Sequence, residues 1–370
     1  MKKILKLKRI YLLCLLPLSY LLIYIAKHSS SFAEQFYAIH VYKWLSQGIA
    51  MVTGIFPFSL AEILILILPI LLLFLLIRFC VKMIRDRENR AERLGKGILN
   101  LICTVSVALF LFVILAGINY YRYPFSYYSN LEVRDSSVQE LYALTKSLAM
   151  DANQLREMTK ATDENGVFQL SMGMYELAEQ AAEAMAALSK EYPVLGGNYG
   201  TPKPVLSSSL MSYTEITGIF FPFTMEANVN VAIPDYSIPS TMLHELAHLR
   251  GFMREDEANF IAYLAGMESD HPEIQYSSTM LALIISGNAL YDEDTSLYFE
   301  IRDQYSKEIV NDIRANARYW QQYEDTVIST MSNKINDTYL KANDQSDGVK
   351  SYGRMVDLLL AKYREDHGEE

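Results

Sequence analysis

Three stretches of the chain are apolar almost without interruption. Residues 10–26 are broken only by Pro17 and Ser19, residues 60–77 carry Glu62 near one end and Pro69 inside, and residues 98–118 carry Asn100 near their start. A helix crosses the hydrocarbon layer in about 20 residues, so each run has the length of a span. One such run would fit a buried core helix, but three with basic flanks predict transmembrane helices. The first run also has the build of an export signal, since Ser29, Ser30, Ser31 and Ala33 follow it. No clear A-x-A cleavage site follows, however, and two further runs do. Residues 32–58 mix apolar and aromatic positions without a clean period. They fit either an amphipathic helix on the outer membrane surface or a segment packed against the soluble domain.

From about residue 119 the pattern becomes that of a water-soluble domain. Ser137 and Glu140 have the spacing of a capping box, opening a helical pattern to about residue 159. A second helix is predicted over 170–188. Tyr192-Pro193, Gly196-Gly197, Pro202 and Pro204 then break the chain. Residues 214–233 favour β-structure and are punctuated by Pro222, Pro234 and Pro239. A helix over 240–250, with Ser240 as cap candidate, is closed by Gly251. Another starts near Arg254 with Glu255, Asp256 and Glu257 in its first turn, where negative charge suits the helix dipole. Further helices are predicted over 277–290, 295–334 and 351–365. No internal repeat is visible.

Charge sharpens this division. Residues 1–117 hold 14 of the 33 Lys and Arg but only 5 of the 43 Asp and Glu, so a surplus of nine positive charges precedes a remainder with nineteen in excess negative. Such an acidic domain repels phosphate, so no nucleic-acid partner is expected. The basic residues cluster in the tail (Lys2, Lys3, Lys6, Lys8, Arg9) and in the loop after the second run (Arg78 to Lys96). Positive charge stays inside. The expected topology is a membrane domain over 1–118 in the cell membrane, with the N-terminus cytoplasmic, and an extracellular domain over 119–370. Tyr120, Tyr121, Tyr123, Tyr127 and Tyr128 suit an aromatic belt at the outer interface. Cys14, Cys80 and Cys103 all lie in or beside spans, which leaves the outer domain no disulfide.

The chemistry-bearing motif is His244-Glu245-Leu246-Ala247-His248. Two histidines four apart on a helix project from one face, so their ring nitrogens can share one Zn²⁺. Glu245 beside them can take a proton from water and pass it to a leaving amine. A catalytic zinc needs a third protein ligand and one open position. Gly251 matches the glycine of the metzincin pattern HExxHxxGxxH, but Arg254 stands at the ligand place and cannot bind a cation. The nearest carboxylates are Glu255, Asp256 and Glu257.

The segment from Glu255 through Ala258 to Asn259 resembles the ExxA[DN] segment of the gluzincin group. That resemblance implies Glu255 as third ligand and Asn259 as its supporting partner. Glu257, about 200° round the helix from Glu255, is the other candidate. The gap from His248 to Glu255 is shorter than in most gluzincins and requires a sharp reversal at Gly251-Phe252. In zincins an edge strand precedes the site helix and pairs with extended substrate. By resemblance Ala227 and Asn228, in an alternating stretch with polar residues at 226, 228 and 230, would contact a peptide. An ordinary half-exposed strand fits the same pattern. Tyr276 could serve as an oxyanion donor, but a packing aromatic fits it better. His271 has no specific placement, and Arg250 and Arg254 are expected to pair with nearby acids.

Five longer stretches carry a wider resemblance: Pro57 to Glu62, Asn119 to Phe125, Ser212 to Gly218, Pro222 to Asn230, and His244 to Phe260. Together they resemble the bacterial multi-pass membrane proteins of domain of unknown function family 3810. The resemblance implies a zincin-like motif and a membrane location, with no particular substrate. The expected architecture is an α-helical anchor of three transmembrane helices plus an α+β, mostly helical, zincin-like soluble domain with a small β-sheet. The expected function is a membrane-anchored zinc metallopeptidase, with Zn²⁺ as cofactor, the lipid bilayer as host and an extracellular or wall-associated peptide or protein as substrate. The alternative is a non-catalytic zinc-binding sensor or assembly factor, whose metal would have a closed fourth position.

Overall fold

The computed structural model describes residues 8–343 and 354–368. The apolar runs form α1 (Lys8–His28), α4 (Leu60–Arg85) and α5 (Arg90–Leu115), each long and apolar enough to cross a membrane. The helices outrun the apolar stretches at the basic loop, because Lys, Arg and Met are good helix formers outside the lipid. Only residues 86–89 separate α4 from α5. Pro69 is accommodated inside α4. The tail residues Lys2, Lys3 and Lys6 lie outside the described residues.

Residues 32–58 bury Tyr37, Tyr42 and Ala50 against the rest of the chain while Trp44, Val52 and Ile55 stay exposed, so these residues combine the packing of one expected arrangement with the apolar outer face of the other. They form α2 (Phe32–Tyr42), wound with the wider π-type hydrogen bonding, and α3 (Lys43–Thr53). Tyr42 is fully buried and its hydroxyl donates to the Leu249 carbonyl at 3.2 Å. Glu34 and Arg122 form a buried ion pair at 2.7 Å. The stretch set apart at residue 118 is thus joined to the domain through buried polar contacts.

The longer helices after α5 are α6 (Val138–Met158), α7 (Met174–Glu191), α8 (Ile238–Leu249), α9 (Glu255–Met267), α10 (Pro272–Glu293), α11 (Thr295–Arg302), α12 (Lys307–Gln321), α13 (Val327–Ala342) and α14 (Met355–His367). The capping box at Ser137 and Glu140 forms in full. The long helix expected over 295–334 is three helices, because Ser306 and Thr326 cap new starts with their hydroxyls. For the last helix, 351–353 lie outside the described residues.

The sheet has three strands, β1 (Lys203–Pro204), β2 (Gly218–Phe221) and β3 (Glu226–Val229), in the order β1-β3-β2. This corrects the expectation for Ala227 and Asn228. Asn228 pairs with Lys203 on one side and Ile219 on the other, so β3 is central and has no edge for a peptide. Its alternating polar residues turn inward. Glu226 binds Lys203 at 2.6 Å and accepts from the amides of Leu60 and Ala61 at the start of α4. Asn228 meets the Ser59 hydroxyl at 2.5 Å. The open edge of the sheet on the α8 side is β2.

Candidate metal centre

The site is built on the turn between α8 and α9. The last residues of α8 close in a Schellman arrangement. The Gly251 amide donates to the His248 carbonyl at 2.9 Å, and the Phe252 amide to the Ala247 carbonyl at 3.3 Å. Gly251 has φ +86°, a left-handed conformation that favours glycine, and a Cβ there would meet Tyr42 at 3.0 Å and Arg122 at 3.1 Å. This is the sharp reversal required when only six residues separate His248 from Glu255. The helix starts at Ile238, so Ser240 sits inside it, and its hydroxyl bonds the Ser237 carbonyl.

The reversal brings Glu255 back over the histidines. One Glu255 oxygen lies 3.2 Å from His244 Nε2 and 3.8 Å from His248 Nε2. The three potential donor atoms all fall within 4.8 Å of one another. The outer ring nitrogens are held: His244 Nδ1 lies 2.7 Å from the Asn259 side-chain oxygen, and His248 Nδ1 lies 2.7 Å from the Phe252 carbonyl. Both partners are acceptors, so each Nδ1 carries a proton and each Nε2 is the nitrogen that faces Glu255 and would offer its lone pair to a metal. Two imidazoles and a carboxylate so oriented fit a borderline-soft divalent ion such as Zn²⁺. Glu257 faces away. It accepts from the Phe125 amide at 2.9 Å and pairs with Arg254 at 3.2 Å.

Electrostatics bind this trio even without a metal. Burial disfavours a charged His248, but the facing Glu255 carboxylate outweighs it and raises the imidazole to about 9. Glu255 is held well below the usual carboxylate range: burial pushes it up, and His248 and His244 more than reverse this. Glu245 is fully enclosed, and burial raises its carboxyl despite the nearby histidines. It accepts from the Phe220 backbone amide. Its other oxygen, Oε2, is buried without a hydrogen-bond partner. Gly218 leaves room for this carboxylate, since a Cβ there would stand 2.5 Å from Glu245 Oε1.

The trio opens into a cleft of about 470 Å³. One wall is β2, with Gly218, Ile219 and Phe220, and the opposite wall is α13, with Ser332, Asn336 and Tyr339. Tyr120 completes that wall, donating to the Tyr339 hydroxyl at 2.9 Å. This corrects the assignment of Tyr120 to a membrane belt: it is buried, whereas Tyr127 is 60% exposed. Tyr276 is also corrected as an oxyanion donor. It is fully buried and bonds Asp312 at 2.7 Å, away from the cleft. His271 precedes α10 as its cap residue. Arg254 pairs with an acid as expected, but Arg250 donates to the carbonyls of Leu195 and Leu246 and stacks on Tyr199.

The role of β2 had a signal in the chain, the β-favouring run 216–221. The wall formed by Tyr339 had none, because it comes from a polar helix some ninety residues downstream of the motif. A family model described as a protein of unknown function (DUF3810) matches residues 37–360. No curated protein and no solved structure matches the chain.

Proposed function

The chain belongs to the DUF3810 family, and from its site we propose that it is a membrane-anchored zinc peptidase. The observation that carries this reading is the convergence of His244, His248 and Glu255 beside Glu245, a buried carboxylate with one oxygen left unpartnered. His244, His248 and Glu255 would hold Zn²⁺, with Asn259 and the Phe252 carbonyl fixing the imidazoles. When bound there, the ion supplies Lewis acidity toward a carbonyl and eases deprotonation of water.

The chain's own residues do the rest. Glu245 accepts the proton of the attacking water and returns it to the leaving amine, and its burial, which raises its affinity for a proton, serves that role. The outer edge of β2, apart from the Phe220 amide that Glu245 holds, aligns an extended peptide by main-chain hydrogen bonds. Tyr339 accepts from Tyr120, so its own proton is available to a developing oxyanion. The site's openness favours hydrolysis over a purely structural metal, for which Glu245 would have no use.

The test measures zinc content and hydrolysis of a peptide library by the full-length protein. Glu245→Gln should keep zinc and lose hydrolysis by about 10²-fold or more, while His248→Ala should lose both. Cleavage by Glu245→Gln at the wild-type rate would sink the catalytic reading. Undiminished zinc in Glu255→Gln, with loss in Glu257→Gln, would overturn the ligand set.

A further inference from the structure

Helix α13, which walls the cleft, is only lightly attached to the domain, with Ser329 and Leu340 its buried residues. Val327, Ile328, Met331 and Ile335 are 77%, 50%, 60% and 65% exposed, and Tyr339 is 39% exposed. Residues four apart advance only about 40° round a helix, so these five form one continuous apolar flank. Lys334 and Lys341 border this flank beside Val327, and Thr330 and Asp337 lie farther round, about 60° and 80° beyond it. An apolar flank of this size that no other described residue covers, on an otherwise polar helix, marks an interaction surface.

Its position says what covers it. The Tyr339 ring packs edge-on against Phe112, near the domain-side end of α5, at 6.1 Å. Farther along α13, Ser332 donates to the Thr214 carbonyl at 2.8 Å and Asn333 to the Glu215 carboxylate at 2.7 Å. The chain leading to that loop starts at Leu206 and Ser207, whose amides donate to Glu62 in the first turn of α4 at 3.1 and 2.7 Å. Leu206 is 83% exposed and shares a groove with Ile63 and Leu66 of the span. A strip from Leu206 to Tyr339 therefore bridges the domain-side ends of two spans, at the level where their apolar surfaces end. Ile335 and Tyr339 belong both to the flank and to the cleft wall.

We infer that α13 lies in the bilayer surface with its apolar flank in the lipid, and that the cleft opens along that surface. Resting on the peptidase reading above, the substrate class is then a peptide segment anchored in the same membrane and cut close to where it leaves the lipid. An amphipathic helix with one apolar face bordered by Lys is built for this position. Confinement to one surface raises the effective concentration of an anchored peptide without any new contact.

Two measurements on the full-length protein in phosphatidylcholine–phosphatidylglycerol vesicles test this. The first uses single nitroxide labels in a chain whose three cysteines are replaced by alanine. Val327→Cys, Met331→Cys and Ile335→Cys should be reached by oxygen and shielded from a nickel chelate, with Thr330→Cys and Asp337→Cys showing the reverse. Uniform access of the chelate would overturn the placement of α13, whether or not the protein hydrolyses anything. The second gives zinc-loaded protein a random peptide library, free or carrying a palmitoyl chain. The anchored library should be cut about tenfold faster or more. Equal rates would overturn the substrate class. No cleavage of either library would instead remove the peptidase reading and the substrate class with it, leaving the label result to decide where α13 lies.

Discussion

Glu245 keeps one carboxylate oxygen free of protein partners where it lines the cleft. Its position is sensitive to its nearest neighbour. Gly218→Ala would put a methyl group onto the Glu245 carboxylate. Hydrolysis should fall by about 10²-fold while zinc content is unchanged, a separation that metal analysis beside a rate assay would read; loss of zinc would mean that the methyl disturbs the ligands instead. His248 supplies a pH test. Its raised folded-state value means that its pairing with Glu255 stabilises the metal-free protein fully below the unfolded value of about 6.5. That contribution is lost as pH rises toward about 9. Thermal melting of chelated protein across this window should show the decline, and His248→Ala should flatten it. Zinc-loaded protein should not show it, because a bound imidazole is already neutral.

At the scale of elements, local signals were legible and lateral neighbours were not. The box at Ser137 and Glu140, the stop at Gly251 and the acidic start at Glu255 each act within a turn or so of themselves, and each stands where the pattern put it. The alternation at 226, 228 and 230 gave the strand but not its surroundings. A polar face reads as solvent-facing, and here it serves a buried lysine and the amide ends of a span. The breaks inside 295–334 were missed because a single hydroxyl cap is a weak signal amid helix formers. The motif gave His244, Glu245 and His248, and resemblance added Glu255 and Asn259. The far wall depends on the path of a distant helix. The α8–α9 pair yields a prediction of its own. Asn259 on α9 holds His244 on α8 at 2.7 Å, so Asn259→Ala should weaken zinc binding by about 10–100-fold. A competition titration with a chromogenic chelator would measure it, and unchanged affinity would show that the helices hold the imidazole without it.

For the whole molecule, the domain and the spans are one piece of polar engineering rather than a head on a stalk. Arg122 joins Glu34 to the Arg250 carbonyl just before the Gly251 turn, and removing one partner from a buried pair of this kind costs about 3–5 kcal/mol. The same holds where α4 begins. Its first free amides end on Glu226, a residue of the central strand, and Glu62 of its first turn holds the amides of Leu206 and Ser207. Carboxylates clamp this helix from both sides, so it cannot lean without dragging the sheet that borders the cleft. Helices lean when the hydrocarbon around them grows thinner than their apolar length. The span is therefore a lever and bilayer thickness the force on it. Turnover in vesicles of graded acyl-chain length should pass through a maximum, whereas a flat profile would show that the clamp does not carry tilt into the site.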